Sequence, residues 1–101
     1  MEAIYQFVKL EKSENLQEFA QKKLDKLETK YDWIIKAQVY FKREEVQDPK
    51  GFICNIKLSA PGPQLFAESN KESFEAATAE TVKDLERQLA KRKSQMKTHS
   101  N

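Results

Sequence analysis

The sequence predicts an α+β two-layer sandwich with the element order β-α-β-β-β-α, in which two helices cover one face of a four-stranded mixed sheet. Three observations indicate this class. Two stretches space apolar residues as a helix does, four short stretches carry strand-like composition or alternation, and Pro and Gly separate the last strands. The 101 residues suffice for one domain, and 39% apolar with 34% charged residues suits a thin fold with much surface.

The amino-terminal third is predicted to form a strand and then a helix. Residues 2–10 are rich in β-branched and aromatic side chains, which favour a strand. Ser13 is a good N-cap, and Asn15 is an alternative, so the helix is expected to begin there and to run to about Tyr31. Its apolar stripe comprises Leu16, Phe19, Ala20, Leu24 and Leu27.

The middle of the chain predicts three antiparallel strands, at residues 35–43, 52–59 and 64–69. The polar stretch 44–51 is expected to form a hairpin loop, and residues 60–63 a tight turn of type II. Alternation in the first two of these strands separates a core face from a solvent face. The predicted core-facing residues are Ile35, Ala37, Val39 and Phe41, then Phe52, Cys54, Ile56 and Leu58.

A second helix is predicted at residues 74–97, capped by Ser69 or Asn70. Its apolar stripe ends near Leu89, and no acidic residue follows Glu86. These features indicate that the helix continues past its core and carries positive charge into solvent. Acids early and bases late also complement a helix macrodipole, which is an alternative explanation. The stripe comprises Phe74, Ala77, Thr78, Thr81, Val82, Leu85 and Leu89. On a helical wheel Arg92 falls at the same angle as this stripe, where a core residue would be expected.

The first helix separates its charges by sign. On a helical wheel its four central lysines fall within an arc of about 100°, and its acids lie on the other flank. A stabilising helix would interleave the signs in i, i+4 pairs, so a row of like charges indicates an anionic partner. The alternative is that lysine stems cover the edge of the core while their ammonium groups reach water. The bases are Lys22, Lys23, Lys26 and Lys30, and the acids are Glu14, Glu18, Asp25 and Glu28.

Both helices are expected on the same face of the sheet, so their basic groups can join into one surface for RNA phosphates. Net charge is only +2, so this function rests on the separation of charges and not on their excess. The residues predicted to form this RNA-binding surface are Lys22, Lys23, Lys26, Lys30, Lys83, Arg87, Lys91, Arg92, Lys93 and Lys97. Tyr31, Trp33 and Tyr40 could stack on bases, but packing is the preferred interpretation of these aromatic residues.

Catalytic and metal-binding signals are weak in this sequence. The single histidine, His99, lies at residues 98–101, which are expected to form a flexible tail. Cys54 is predicted to be a small buried hydrophobic residue. Two glycines cannot supply a Gly-rich phosphate loop. We therefore expect no enzyme activity, no metal or other cofactor, and no small-molecule substrate. The lone cysteine and the absence of a long apolar run predict a cytoplasmic protein with no membrane partner.

Two stretches carry a family resemblance that covers nearly the whole chain. They are LQEFAQKKLDKLETKYDWI at residues 16–34 and FEAATAETVKDLERQLAKRK at residues 74–93. In combination they resemble the ribosome hibernation promoting factor and ribosome-associated inhibitor family. The resemblance implies a fold like that of double-stranded RNA-binding domains. It also implies binding to the small ribosomal subunit in the mRNA and tRNA channel, which inhibits translation under stress or in stationary phase.

The resemblance also assigns individual roles. It implies that Lys23, Lys26, Arg87, Lys91 and Lys93 contact rRNA, and the remaining predicted residues come from geometry. The chain is expected to be a short form, a single ribosome-binding domain at residues 1–97, without the second domain that pairs ribosomes in long members. A further factor for ribosome dimerisation is then a conceivable partner.

One position departs from the family pattern, which often has Met-Tyr where this chain has Ser73-Phe74. That change puts the packing of the second helix's first turn in question. Two other functions fit the sequence: a general double-stranded RNA-binding module, and a protein-interaction module in which the lysines only confer solubility.

Overall fold

The structure, a computed structural model, describes residues 1–45 and 49–99, with side chains as far as residue 96. Strands and helices follow one another in the predicted order β-α-β-β-β-α, which confirms the α+β class. The elements are β1 (Glu2–Phe7), α1 (Glu14–Lys30), β2 (Lys36–Arg43), β3 (Phe52–Ser59), β4 (Leu65–Lys71) and α2 (Phe74–His99).

The four strands form one mixed sheet in the order β1-β2-β3-β4. β1 and β2 are parallel, as expected for strands joined through a helix, and the other two pairings are antiparallel. Register places Tyr5, Val39 and Ile56 beside one another across three strands. Because successive side chains alternate between faces, these rows point towards both helices, and the opposite face of the sheet is open to solvent.

Both helices bury most of their predicted stripes against the sheet, but Phe19 of α1 is only half-buried and lies outside the core. Leu24 of α1 and Leu85 and Leu89 of α2 are fully buried, together with Ala37, Val39 and Phe41 from β2. Thr81 is also fully buried, and its single hydroxyl proton is shared between the carbonyls of Ala77 at 2.8 Å and Cys54 at 3.1 Å. This hydroxyl therefore satisfies its hydrogen-bonding capacity inside the core and ties α2 to β3.

The observed boundaries correct three predictions made from the sequence. β1 ends at Phe7 and not at residue 10, because Lys9 adopts a left-handed φ of 56° that a strand cannot continue through. β2 begins at Lys36, and Ile35 is 61% exposed and not part of the core. β4 continues to Lys71, beyond the predicted end at residue 69.

The N-caps give one confirmed prediction and one correction. Ser13 caps α1, since its hydroxyl accepts the Leu16 N–H at 3.2 Å. Ser69 and Asn70 do not cap α2, because both residues are still paired in β4. Ser73 does so, with its hydroxyl 3.0 Å from the Ala76 N–H.

Four phenylalanines close one end of the core. Phe41 stacks on Phe7 with ring centroids 5.1 Å apart and meets Phe74 edge-on at 5.7 Å. Phe74 also meets Phe52 edge-on at 5.0 Å. The first turn of α2 is therefore packed through Phe74, although this chain has Ser73-Phe74 where the family pattern often has Met-Tyr.

The ends of the predicted loop and tail are only partly described. Glu44 N–H donates to the Gly51 carbonyl at 2.8 Å, which closes the loop between β2 and β3, and residues 46–48 lie outside the described part.

Gly62 has a φ of 96°, which the second central position of a type II turn requires. α2 runs to His99, so two residues of the predicted tail are helical, and residues 100 and 101 lie outside the description.

Stability is expected to fall at alkaline pH because burial raises two pKa values. Burial raises the pKa of Cys54 to about 11, and burial with the nearby Asp25 carboxylate raises that of Tyr5 to about 12. Between about pH 9 and 11 the unfolded thiol ionises first, so the folded state binds more protons and loses stability as pH rises. Cys54→Ala should flatten the dependence of the unfolding free energy on pH in that window, as measured by urea denaturation. An unchanged slope would contradict this assignment.

Candidate nucleic-acid interface

A groove runs between α1 and α2 on the helical side of the molecule. It encloses about 280 Å³, and four lysines line it against a single glutamate. Leu27, Ala79 and Val82 supply the apolar part of the lining. We call it the lysine groove; its charged residues are Lys23, Lys26 and Lys30 of α1 with Lys83 and Glu86 of α2.

The basic flank of α1 lines this groove because the opposite flank faces β1. The Tyr5 hydroxyl of β1 donates to the Gln21 side chain at 2.7 Å, and the Gln21 amide donates to Asp25 at 2.9 Å. The amino terminus likewise pairs with Glu28 on the same side of α1. These hydrogen bonds and this ion pair hold the acidic flank of α1 beside β1, so the lysines of α1 border α2. The acids and the bases of α1 therefore lie on two different surfaces of the molecule.

Two of the groove lysines have partners within the protein. The Lys23 ammonium lies 5.0 Å from the centroid of the Phe19 ring. Lys30 Nζ pairs with Glu86 at 2.8 Å, and the hydrogen bond and charge of Glu86 raise the pKa of Lys30. Both side chains of this pair are well exposed, so the pair contributes little to stability and can rearrange around a ligand.

Lys26 and Lys83 are the most available cations of the groove. Both are exposed, and one stands on each wall. Neither side chain forms a hydrogen bond or an ion pair within residues 1–45 and 49–96. Two unpaired ammonium groups on opposite walls can each contact a separate phosphate of an RNA backbone.

The other predicted residues extend from the groove or lie elsewhere. Lys22, Arg87 and Lys91 are exposed but do not line the groove, and Arg87 approaches Glu80 only at 4.0 Å. Lys93 places its ammonium 5.7 Å from the Tyr31 ring centroid, at the junction of the two helices. The side chain of Lys97 lies outside the described residues.

Arg92, one of the predicted rRNA contacts, also makes a contact within the protein. Its guanidinium donates to the Pro61 carbonyl at 3.1 Å and lies against Gly62, so it joins α2 to the turn before β4. The helix is exposed after Leu89, as expected, and Arg92 is the half-buried exception among residues 90–96. Tyr31 is only 7% exposed and meets Trp33 edge-on, so its ring is not free to stack on a base.

Glu86 is a groove residue that the sequence analysis did not select. Its spacing from Ala79, Val82 and Lys83 places all four on one flank of α2, so helical periodicity could have found it. It is absent from the predicted residues because its charge is negative. Its carboxylate both holds Lys30 and lowers the positive potential of the groove.

Neutralising Glu86 is expected to strengthen RNA binding. Glu86→Gln removes the negative charge from the groove and frees Lys30, so affinity for ribosomes should rise about threefold to tenfold at low salt. Co-sedimentation with ribosomes measures this change. Glu72→Gln makes the same change of charge at an exposed position just before α2, and it should leave affinity nearly unaltered. Equal gains in both variants would show that net charge, and not the groove, sets affinity.

The described residues were considered for a metal site, a membrane span and a reactive thiol. No group of three or more His, Cys, Asp or Glu side chains is arranged to hold a metal ion among them. Within the same residues, neither helix is long and apolar enough to cross a membrane. The Cys54 thiol is fully buried, so it cannot reach a substrate.

The fold agrees with the comparisons to known proteins. The family model described as "Sigma 54 modulation protein / S30EA ribosomal protein" matches residues 3–97. The chain therefore belongs to this family of ribosome-associated factors. The comparison with curated proteins found no match.

Two solved structures share the fold. A ribosomal subunit interface protein from Coxiella burnetii superposes with a TM-score of 0.80 at 22% identity, covering 93% of this chain and 99% of that one. The N-terminal domain of Protein Y from Thermus thermophilus gives a TM-score of 0.72 at 23% identity, covering 88% of this chain and 96% of that one. At these identities the likeness establishes the fold.

Proposed function

We propose that this protein is a cytoplasmic ribosome hibernation factor. It binds rRNA of the small subunit in the channel for mRNA and tRNA, and it inhibits translation under stress or in stationary phase. It does so as a binding protein, without a catalytic step or a cofactor. The observation that carries the proposal is the lysine groove, in which lysines of two helices face one another while the acids of α1 lie on the other flank.

Phosphate contacts explain how such a groove would hold structured RNA. Paired RNA hides its base edges in a deep and narrow major groove, so proteins recognise it mainly through its shape, its 2′-hydroxyls and its phosphates. Flexible lysine side chains suit this task because each ammonium can adjust to the position of a phosphate. In this proposal Lys23, Lys26, Lys30 and Lys83 contact the backbone in the groove. Lys22, Arg87, Lys91 and Lys93 extend the contact along the exposed faces of the helices.

Occupying the channel is sufficient for inhibition. A folded domain of this size held where mRNA and tRNA bind excludes both by sterics, so no chemistry is required. The family membership and the two structural neighbours, one of them titled a ribosomal subunit interface protein, support this location.

Sedimentation with ribosomes tests the proposal directly. The protein should travel with isolated small subunits and with whole ribosomes, and not with isolated large subunits. Its binding should weaken steeply as salt rises, because each phosphate contact releases counterions. Messenger RNA and tRNA bound in the channel should prevent its binding, and the protein should inhibit translation of a reporter mRNA in a cell-free system. Binding that ignores salt, or that follows the large subunit, would refute the proposal.

Free duplex RNA distinguishes this function from a general double-stranded RNA-binding module. A ribosome factor should be displaced poorly by an excess of duplex, whereas a general binder should be released. The same gradient also shows whether bound ribosomes stay single or form dimers.

A further inference from the structure

The free edge of β1 forms a second surface, which the proposed rRNA contacts do not use. β1 is an outer strand of the sheet. Glu2 N–H donates to the Ile35 carbonyl and Val8 N–H to the Phe41 carbonyl, so the even-numbered residues of β1 direct their backbone groups towards β2. The N–H and C=O groups of Ala3, Tyr5 and Phe7 therefore point away from the sheet.

The two edges of the sheet are treated differently. At the other edge, the Gln88 side chain of α2 donates to the Phe66 carbonyl of β4 at 2.9 Å, so the helix occupies part of that edge. Within residues 1–45 and 49–96, no side chain bonds to the outward groups of Ala3, Tyr5 or Phe7. Exposed edges usually carry such protection, and an unprotected edge is able to pair with another strand.

A groove lies beside this edge, between β1 and the first half of α1. One part encloses about 440 Å³ and is lined by Tyr5, Phe7 and Leu10 among others. A second part of about 340 Å³ shares Lys12 and Gln17 with the first and is lined further by Glu14, Glu18 and Gln21. We call the two together the β1 edge groove. A strand added to β1 would place every second side chain in it.

The negative charge on the α1 wall of the β1 edge groove favours a positively charged ligand. Glu14 and Glu18 stand on its α1 wall, with Asp25 and Glu28 further along the same flank, and Lys12 is the one base among the residues that line it. A nucleic acid would be repelled by this wall. A second copy paired through β1 would bring two such acidic flanks together across the dimer axis, which is also unfavourable.

We propose that β1 binds an extended basic peptide segment of a partner protein by strand addition. Backbone hydrogen bonds to Ala3, Tyr5 and Phe7 hold the segment. Its helix-side residues are basic: their aliphatic stems lie on Tyr5 and Phe7, and their charged ends reach Glu14 and Glu18. Its other residues are apolar and lie beside Ile4, which is 41% exposed on the open face of the sheet. This site is independent of the lysine groove and does not rest on the proposed function.

A short peptide of alternating lysine and valine, capped at both ends, is the probe. It should bind the protein, as measured by titration calorimetry, and an alternating glutamate and valine peptide should not. In hydrogen exchange, the peptide should slow the amides of Ala3, Tyr5 and Phe7 selectively, because those of Ile4 and Gln6 are already paired with β2. If the peptide slowed exchange only at other amides, or at none, the proposal would be overturned. This measurement uses the unmodified protein, so it does not depend on the folding of any variant.

Position 3 offers a matched pair of variants. Ala3→Pro removes an outward N–H while leaving the pairing with β2 intact, as proline allows on an edge strand, whereas Ala3→Val keeps that N–H. Affinity for the lysine and valine peptide should fall at least roughly tenfold in Ala3→Pro and change less than about twofold in Ala3→Val. Equal affinities in the two variants would overturn strand addition.

Charge and self-association complete the test. Reversing both Glu14 and Glu18 to lysine should transfer binding to the glutamate and valine peptide, and continued preference for lysine would refute the role of the acidic wall. Sedimentation should show a monomer without peptide. A dimer that Ala3→Pro dissociates would identify a second copy as the occupant and would overturn the proposal of a basic peptide.

Discussion

Reversing Lys26 and Lys83 to glutamate is expected to weaken binding to ribosomes by about a hundredfold. These two ammonium groups stand on opposite walls of the lysine groove without partners of their own among residues 1–45 and 49–96. The double variant loses two phosphate contacts and adds two repulsive charges. Binding isotherms at several salt concentrations should also show the slope of log K against log salt reduced by about 2, since each lost contact removes close to one released ion.

The matched control makes the same change of charge elsewhere. Lys36 and Lys57 lie in β2 and β3 and point to the open face of the sheet, away from both helices. Their double reversal to glutamate should alter affinity by less than about threefold. Lys26 and Lys83 are exposed, so their replacement should change the free energy of unfolding by less than about 0.5 kcal/mol. Equal loss of affinity in both double variants would mean that net charge alone governs binding.

Phe41→Ala should cause the largest loss of stability of any change considered. The Phe41 ring is fully buried and contacts both Phe7 and Phe74, so it joins β1, β2 and α2. Truncating such a ring removes the transfer energy and leaves a cavity, at a cost of about 3–5 kcal/mol. A domain of this size is stable by only about 5–15 kcal/mol, so the variant should lose a large share of its free energy of unfolding. Urea denaturation followed by circular dichroism measures the loss.

Phe66→Ala is the control for that change. Phe66 is 47% exposed on the open face of β4, and its truncation should cost less than about 1 kcal/mol. A small effect of Phe41→Ala would show that the aromatic end of the core repacks around the missing ring. In that case the packing of Phe74 would not hold the first turn of α2.

Local patterns predicted the element types because they follow from the chain itself. Leu16, Ala20, Leu24 and Leu27 have helical spacing and are buried as expected, whereas Phe19 is only half-buried. Alternation in residues 36–43 and 52–59 places most predicted core residues inside, but Phe52 is half-buried and Ile53 is buried. Other errors occurred at the ends of elements. Ser69 and Asn70 have the side chains of N-caps, but the pairing of β4 with β3 continues through both, and that pairing is not local.

The candidate site was predictable in part. Helical geometry showed that lysines and acids of α1 lie on separate flanks, but it could not say which flank faces α2. The tether from Tyr5 to Gln21 decides this, because it turns the acidic flank towards β1. The position of Glu86 opposite Lys30 also depends on how the two helices approach each other.

Sequence alone determined the order of the elements, the residues of both apolar stripes and the sorting of charge on the first helix. Each of these depends on spacing along the chain, which the periods of helix and strand convert directly into faces. Tertiary structure decided which faces meet: the four lysines in one groove, Arg92 on the turn at Pro61, and the open edge of β1 beside an acidic wall. These contacts join residues far apart in the chain, so they exist only once both helices have packed on the sheet.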